Sequence, residues 1–180
     1  MLTLFVKSSE FYDEAKKQFI TLPETTLELE HSLASLSKWE QIWEKPFLGK
    51  GDKTIEETIS YIKCMSLTSN VPDLVFRHLG AENNTKVSEY IEAKMTATTF
   101  SNLLNGPPNR EIITAEIIYY WMFSLAVPLE YENWHLNKLL TLIKVINLKN
   151  APKKKMPRNS AMARQRSLNH QRRAQSGSRG

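Results

Sequence analysis

Cysteine, glycine and long apolar runs are scarce in this sequence of 180 residues. Its single cysteine excludes a disulfide framework and any zinc site built from cysteines, and a lone thiol is typical of a protein in a reducing cytosol. Six glycines leave little material for glycine-rich phosphate-binding loops. The longest uncharged apolar stretch, residues 117–129, is too short to span a bilayer and is typical of a buried helix. The first residues lack the basic region of a signal peptide, so none is predicted.

Acidic residues are missing from the last part of the chain. Residues 149–180 contain ten Lys and Arg and no Asp or Glu, while the preceding residues contain 14 basic and 19 acidic side chains. The formal charge is therefore −5 before residue 149 and +10 from there on. We predict a globular domain over residues 1–150 and a basic tail over residues 151–180. The tail has too few large apolar groups to offset its ordering entropy, so we expect it to be disordered or marginally helical when alone.

Short apolar segments at the N-terminus predict two or three antiparallel strands. Leu2–Val6 and Gln18–Leu22 are apolar runs, and the second is closed by Pro23. In residues 25–31, leucines alternate with glutamates, which is the period of a half-buried strand.

The apolar period changes to that of helices after residue 31. Ser32 is placed to cap a first helix. Its inward positions follow at helical spacing: Leu33, Leu36, Trp39 and Trp43. Thr54 and Glu57 form a capping box at the start of a second helix, whose buried face is expected at Ile55, Ile59 and Ile62.

Two later segments predict the centre of the domain. Asn109 is expected to cap a helix over residues 110–126, which is apolar on nearly all sides and is therefore predicted to be the central core helix. A last helix is predicted over residues 131–148, with these residues inward: Leu136, Leu139, Leu140, Ile143 and Ile146. Before them, Pro72 opens a short helix that reaches Leu79, whereas residues 83–93 are too polar for a firm assignment.

These patterns together predict a mainly α-helical α+β fold. A small N-terminal antiparallel β-sheet is followed by a helical bundle, and a basic C-terminal extension follows the bundle. The sheet is expected to pack against the helices that carry Trp39, Ile59, Trp121 and Leu140.

Two Glu-x-x-His pairs raise the question of a metal site. They are Glu28 with His31 and Glu132 with His135, and a di-iron site needs such pairs on facing helices together with two further glutamates. Glu28 alternates in a predicted strand, so its pair does not share one face, and only the second pair is expected on a helix. We interpret the first pair as part of a solvated acidic strand and His135 as an ordinary residue at a helix start.

No other pattern indicates catalysis. Cys64 has no histidine beside it in the sequence and is interpreted as a small core residue rather than a reactive thiol. Residues 49–51, Gly-Lys-Gly, lack the spacing of a phosphate-binding loop and are interpreted as a turn between helices. We therefore expect no enzymatic activity, no metal and no other cofactor.

Two groups of residues are candidates for contact with a partner. Trp39 and Trp43 lie one helical turn apart and could anchor a partner, although such a stripe is also typical of a core. The basic tail could neutralise nucleic acid phosphates, or it could order on an acidic or helical protein, or it could serve only as a solubilising terminus. Its candidate residues are Lys153, Lys154, Lys155, Arg158, Arg164, Arg166, Arg172 and Arg173.

Several sequence blocks resemble tail assembly chaperones of long-tailed bacteriophages. They cover nearly the whole chain and read HSLASLSKWE (31–40), WEKPFL (43–48), YIKCM (61–65), MTATTF (95–100), EIITAEIIYYWM (111–122), WHLNKLL (134–140) and AMARQRSLNHQRR (161–173). None of these blocks is a catalytic motif, and the family has no agreed active-site residues to carry over.

The resemblance implies a non-enzymatic role in virion morphogenesis. A chaperone of this family binds the long helical tape measure protein in the host cell cytoplasm, keeps it soluble, recruits tail tube protein, and is not expected in the mature virion. Some members also exist in a frameshifted long form. Self-association stays open, and the alternative function is a nucleic-acid-binding accessory phage protein that acts through the basic tail.

Overall fold

A computed structural model of the chain describes residues 1–13, 17–49, 51–100, 112–151 and 158–177. The chain divides into two compact units, Met1–Asn147 and Leu148–Gly180. In the described part, the first unit begins with a β-ribbon and continues with helices, which confirms the predicted mainly helical α+β fold.

The N-terminal ribbon consists of four short strands rather than two or three. Strand β1 (Leu2–Val6) pairs with β4 (Thr25–Leu29), and β2 (Ser9–Asp13) pairs with β3 (Gln18–Leu22), both antiparallel. Val6 faces Thr25 and Ser9 faces Leu22, so one register runs through both ladders. Strand β2 was not predicted because its sequence, SEFYD, does not alternate between apolar and polar residues.

Side chains of β1 and β4 line one face of the core, because alternate residues of a strand point to opposite sides. The buried residues on this face are Leu4, Val6, Leu27 and Leu29. Glu28, the glutamate between the two leucines of β4, is exposed, as the alternation predicted.

Helices α1 (Leu33–Trp43) and α2 (Ile55–Met65) both begin at the predicted caps. The Ser32 hydroxyl accepts a hydrogen bond from the Ser35 amide at 3.2 Å, and the Ser35 hydroxyl accepts one from the Ser32 amide at 3.0 Å. Thr54 and Glu57 exchange the equivalent pair of bonds. The prediction for Ile55 was wrong, because this first residue of the helix is 79% exposed. Ile62 is buried as predicted and Ile59 is partly buried, and Glu57, Tyr61 and Met65 complete the buried face.

Two further helices follow α2 in the first unit and pack apolar side chains into the core. Helix α3 (Asp73–Arg77) buries Val75 and Phe76, and α4 (Ala81–Glu92) buries Val87 and Tyr90. Helix α4 includes most of the polar segment at residues 83–93. This segment gave no firm prediction because only one side of the helix faces the core.

Helix α5 (Ala115–Ser124) is shorter than predicted. It begins at residue 115 instead of 110, because its first amide is capped by the buried side chain of Glu40, whose Oε2 accepts a hydrogen bond from Ala115 at 2.7 Å. The proposed cap, Asn109, lies outside the described residues. Helix α5 is also less central than predicted, since it buries Ala115, Ile118 and Met122 but leaves its opposite side exposed.

The last helix of the first unit is interrupted near its predicted start. A 3-10 helix (Leu129–Asn133) precedes α6 (Leu136–Asn150). His135 between them forms a β-bridge with Ser32, and the Leu136 amide donates to the His31 carbonyl at 2.7 Å. This backbone pairing prevents a continuous helix from residue 131. The predicted inward residues Leu136, Leu139 and Ile143 are buried, and Leu140 and Ile146 are partly buried against the core.

The second unit contains helix α7 (Arg158–Ser176), which is 19 residues long. Its side chains from residue 162 to residue 176 are all exposed. Among the described residues of both units, none of the helices combines the length and the apolar character needed to cross a bilayer.

Candidate partner-binding surfaces

The histidines of both Glu-x-x-His pairs meet in the core. His31 and His135 are buried, and their ring centroids lie 5.1 Å apart. His31 Nδ1 and the Tyr61 hydroxyl form a hydrogen bond of 2.5 Å. His135 donates from Nε2 to the Tyr90 carbonyl at 3.0 Å, and its Nδ1 accepts from the Asn137 amide at 3.3 Å.

The glutamates of the two pairs do not join these histidines. Glu28 lies exposed on β4, and the Glu132 carboxylate accepts a hydrogen bond from the Tyr119 hydroxyl at 2.7 Å. Glu132 lies on the 3-10 helix, so the expectation that its pair shares a helix was wrong. In the described part of the chain, no three His, Cys, Asp or Glu side chains come together in a way that could hold a metal ion.

Burial governs the ionisation of His31 and Tyr61. It lowers the pKa of His31 from 6.5 to about 4, with a smaller contribution from the neighbouring His135, while Glu30 acts in the opposite direction. Burial also raises the pKa of Tyr61 above its ordinary value. At neutral pH His31 and Tyr61 are therefore uncharged and hydrogen-bonded to each other in the core, and the cluster joins the β4–α1 segment to the start of α6.

The lone thiol is not set up for catalysis. Cys64 is partly buried, and this burial raises its pKa, although Lys38 and Lys63 act in the opposite direction. A reactive cysteine needs a lowered pKa, because the nucleophile is the thiolate.

A surface groove of about 350 Å³ runs along α2, α3 and α4. We call it the α2–α4 groove. Its walls are mostly apolar or aromatic and are formed by Phe47, Ile55, Ile59, Tyr61, Ile62, Phe76, Val87 and Ile91. Its remaining lining consists of Thr58, Asn84, Ser88 and two cations, Lys53 and Arg77.

The two cations of the groove differ in their surroundings. Neither Lys53 nor Arg77 forms an ion pair with an Asp or Glu in the described part of the chain, but Arg77 adds to the effect of Lys63 in lowering the pKa of Asp73. The Lys53 ammonium lies 4.3 Å from the centroid of the Phe47 ring, which keeps it at the groove. Among described residues the groove is thus apolar and positively charged.

Helix α5 presents a second surface. Glu116, Tyr120 and Phe123 are spaced i, i+4, i+7 and so lie on one side of the helix. Tyr120 is 68% exposed and Phe123 is 76% exposed. We call this set of three residues the α5 face. It is apolar with one negative charge, because hydrogen bonds with its own backbone amide and with Thr114 lower the pKa of Glu116.

The predicted binding residues fall into three groups. Trp39 is only 2% exposed and donates from Nε1 to the Glu57 carbonyl, so it belongs to the core and cannot anchor a partner. Trp43 is partly buried and donates to Ser60 at 3.0 Å, with one edge on a small cavity beside Arg77. Arg164, Arg166, Arg172 and Arg173 are exposed on α7. Arg158 lies at the start of that helix, while Lys153, Lys154 and Lys155 lie outside the described residues.

The sequence reasoning missed both body surfaces for different reasons. The α2–α4 groove is assembled from three helices and the Phe47 loop, and no local pattern announces such an arrangement. The α5 face, in contrast, is visible as a single i, i+4, i+7 series. It was overlooked because the segment is apolar on all sides and was assigned to the core.

No family model, curated protein or solved structure matches this chain. Its function therefore has to be inferred from its own residues.

Proposed function

We propose that this protein is a bacteriophage tail assembly chaperone that binds the tape measure protein and assists assembly of the tail tube. The proposal starts from the sequence blocks that resemble this family. The structural observation that supports it is helix α7, an arginine-rich helix whose described side chains are exposed.

Helix α7 makes no contribution to a core in its described part. All its side chains from residue 162 onward are exposed, and the helix contains five arginines and no acidic residue. Like charges on one exposed helix disfavour the isolated helix, so its composition has to be explained by something outside the fold. A partner that carries carboxylates would neutralise this charge, and each Arg can bind a carboxylate with two parallel hydrogen bonds.

Besides charge, a chaperone that holds a helix needs exposed apolar surface, and the first unit supplies it. It exposes large apolar side chains, among them Ile55, Tyr120 and Phe123. Exposed apolar groups of this kind mark surfaces that contact another protein. A chaperone that combines them with a basic arm can cover an apolar helix and stay soluble.

Co-expression with the tape measure protein of the same phage tests the proposal. We expect the tape measure protein to be recovered in the soluble fraction and to copurify with the full chain. Replacing Arg164, Arg166, Arg172 and Arg173 together by Gln should reduce recovery, whereas replacing the same four by Lys should retain most of it because the charge is kept. An insoluble tape measure protein that never copurifies with the wild-type chain would refute the proposal.

Nucleic acid binding is the alternative that the same helix favours. A helix with five arginines and no carboxylate can also neutralise phosphates. Salt separates the two functions. Binding driven by phosphates falls steeply with salt, by a slope of about −0.9 in log K against log salt for each neutralised phosphate of duplex DNA, while apolar contacts with a helix persist. Tight retention of DNA or RNA at physiological salt, without tape measure binding, would favour the alternative.

A further inference from the structure

The α2–α4 groove combines an apolar floor with a polar rim. The floor is formed by buried side chains: Phe47, Tyr61, Ile62, Phe76 and Val87. The rim is formed by exposed side chains: Lys53, Ile55, Thr58, Arg77, Asn84 and Ser88. Small-molecule sites typically have a volume of roughly 300–1,000 Å³ and an apolar lining with a few polar groups. The volume of about 350 Å³ lies at the lower end of that range, which favours a single small molecule as the occupant.

Hydrogen bonds within the rim limit which polar group a ligand can offer. The Thr58 hydroxyl donates to the Thr54 carbonyl at 3.0 Å, and the Ser88 hydroxyl donates to the Asn84 carbonyl at 3.1 Å. The Asn84 side chain donates to the Leu79 carbonyl at 3.0 Å. These neutral groups are engaged with backbone carbonyls of the chain, so the strongest donors that remain for a ligand are the two cations of the rim.

Lys53 and Arg77 give the rim its charge. The Lys53 ammonium is held 4.3 Å from the centroid of the Phe47 ring. Arg77 lies one helical turn from Asp73, but the Asp73 carboxylate pairs with the Lys63 ammonium at 2.8 Å. In the described part of the chain no Asp or Glu lines the groove. The groove therefore complements an anionic group and disfavours a cationic one.

We propose that the α2–α4 groove binds a small amphiphile with one apolar chain and one anionic head group, such as a fatty acid. The apolar chain lies on the floor, and the head group binds Lys53 and Arg77 at the rim. A carboxylate can receive two parallel hydrogen bonds from Arg77, and a phosphate head group offers the same chemistry. This site is separate from α7, and the proposal does not rest on the chaperone function.

Calorimetric titration of the full-length chain with dodecanoate and with dodecyl phosphate tests the proposal. We expect saturable one-to-one binding with a dissociation constant below about 100 µM for at least one of them, and the tighter ligand identifies the head group. Dodecyltrimethylammonium is the matched control, because it has the same chain and a cationic head. It should bind at least about 10-fold more weakly. No saturation by either anion below about 1 mM, or equal binding of the cation, overturns the proposal.

Charge variants test the role of the rim. Lys53→Gln/Arg77→Gln should weaken binding of the anion about 10-fold, because charge-assisted hydrogen bonds to the head group are lost. Lys138→Gln/Lys144→Gln removes the same net charge from exposed positions on α6 that do not line the groove. This control should keep the wild-type affinity within about twofold. All four side chains are exposed, so both variants should melt like the wild type. Equal losses of affinity in both variants would indicate general attraction by charge and overturn the site.

Isoleucine methyl NMR locates the bound chain. The signals of Ile59 and Ile91, which line the groove, should shift on titration with dodecanoate. The signals of Ile143 and Ile146 on α6 should stay in place. Shifts confined to isoleucines outside the groove would contradict the proposed site. Unchanged binding of both anions by Lys53→Gln/Arg77→Gln, combined with weaker recovery of the tape measure protein, would assign the groove to that protein and overturn the proposal.

Discussion

Single buried polar residues hold together segments that are far apart in the sequence. The Glu40 carboxylate of α1 accepts hydrogen bonds from the Phe47 amide at 2.7 Å and from the Ala115 amide at 2.7 Å. It thus fixes the loop after α1 and the first turn of α5 at once. His31 and His135 do the same for the β4–α1 segment and α6. Each group is satisfied, as burial of a polar atom demands.

We expect Glu40→Gln to lower the free energy of unfolding by about 2 kcal/mol. Glutamine keeps one acceptor oxygen, but its amide group meets a backbone donor where the second oxygen was, so one buried N–H loses its partner. Chemical denaturation at pH 7 measures the effect. Glu44→Gln is the control, because Glu44 is exposed at the end of the same helix and should change stability by less than about 0.5 kcal/mol. Equal effects of both substitutions would contradict the role assigned to Glu40.

His31 should make the fold sensitive to mild acid. Its pKa is about 4 when folded and 6.5 in an unfolded chain, so between these values the unfolded state binds the additional proton. Stability contributed by this residue is complete above pH 6.5 and is lost as the pH falls toward 4. From pH 7 to pH 5 we expect a loss of about 2 kcal/mol attributable to His31.

Denaturation curves at pH 7 and pH 5 for three chains measure this loss. His31→Gln should lose less stability on acidification than the wild type, because glutamine does not titrate. His170→Gln should lose as much as the wild type, since His170 is exposed on α7. Carboxylates that also titrate in this range are common to all three chains and cancel in the comparison. Parallel pH profiles for the wild type and His31→Gln would rule out this source of acid sensitivity.

At the scale of elements, the sequence predicts what is encoded locally. The caps of α1 and α2 are formed by residues three apart, so the motifs could be read directly and both helices begin where expected. The start of α5 depends on Glu40, 75 residues earlier in the chain, and the break before α6 depends on pairing with His31 and Ser32. No window of sequence contains both partners of these contacts, and both boundaries were therefore mispredicted.

Removing the cap of α2 measures how much this local motif contributes to the stability of the chain. We expect Thr54→Ala to destabilise the chain by about 1 kcal/mol, because the Glu57 amide loses its acceptor, the Thr54 hydroxyl, and the reciprocal bond that the Thr54 amide donates to the Glu57 carboxylate is weakened. Thr54→Ser keeps the hydroxyl and should recover most of the loss. The measurement is thermal or denaturant unfolding of the three chains. An alanine variant as stable as the wild type would mean that tertiary packing alone sets the start of α2.

At the scale of the whole molecule, charge and packing are separated along the chain. The part before residue 149 carries −5 and contains the core, and the part after it carries +10 and exposes its described side chains. The charge asymmetry can be seen from composition alone, because a missing residue type is visible without any structure. Composition could not predict the α2–α4 groove, which exists only once three helices have packed.

The last expectation concerns the basic tail as a unit. Truncation after Asn150 removes α7 but keeps α6 whole, so no buried apolar group of the first unit is lost. We expect the melting temperature of the body to stay within about 2 °C of the full chain, since exposed terminal segments contribute little to global stability. Capture of the tape measure protein should weaken markedly, because nine positive charges and their many weak pairs with an acidic partner are removed together. Calorimetry and copurification on the same preparation measure both. If the truncated chain unfolds, the tail is structural; if it melts normally and still protects the tape measure protein fully, the tail serves some other purpose.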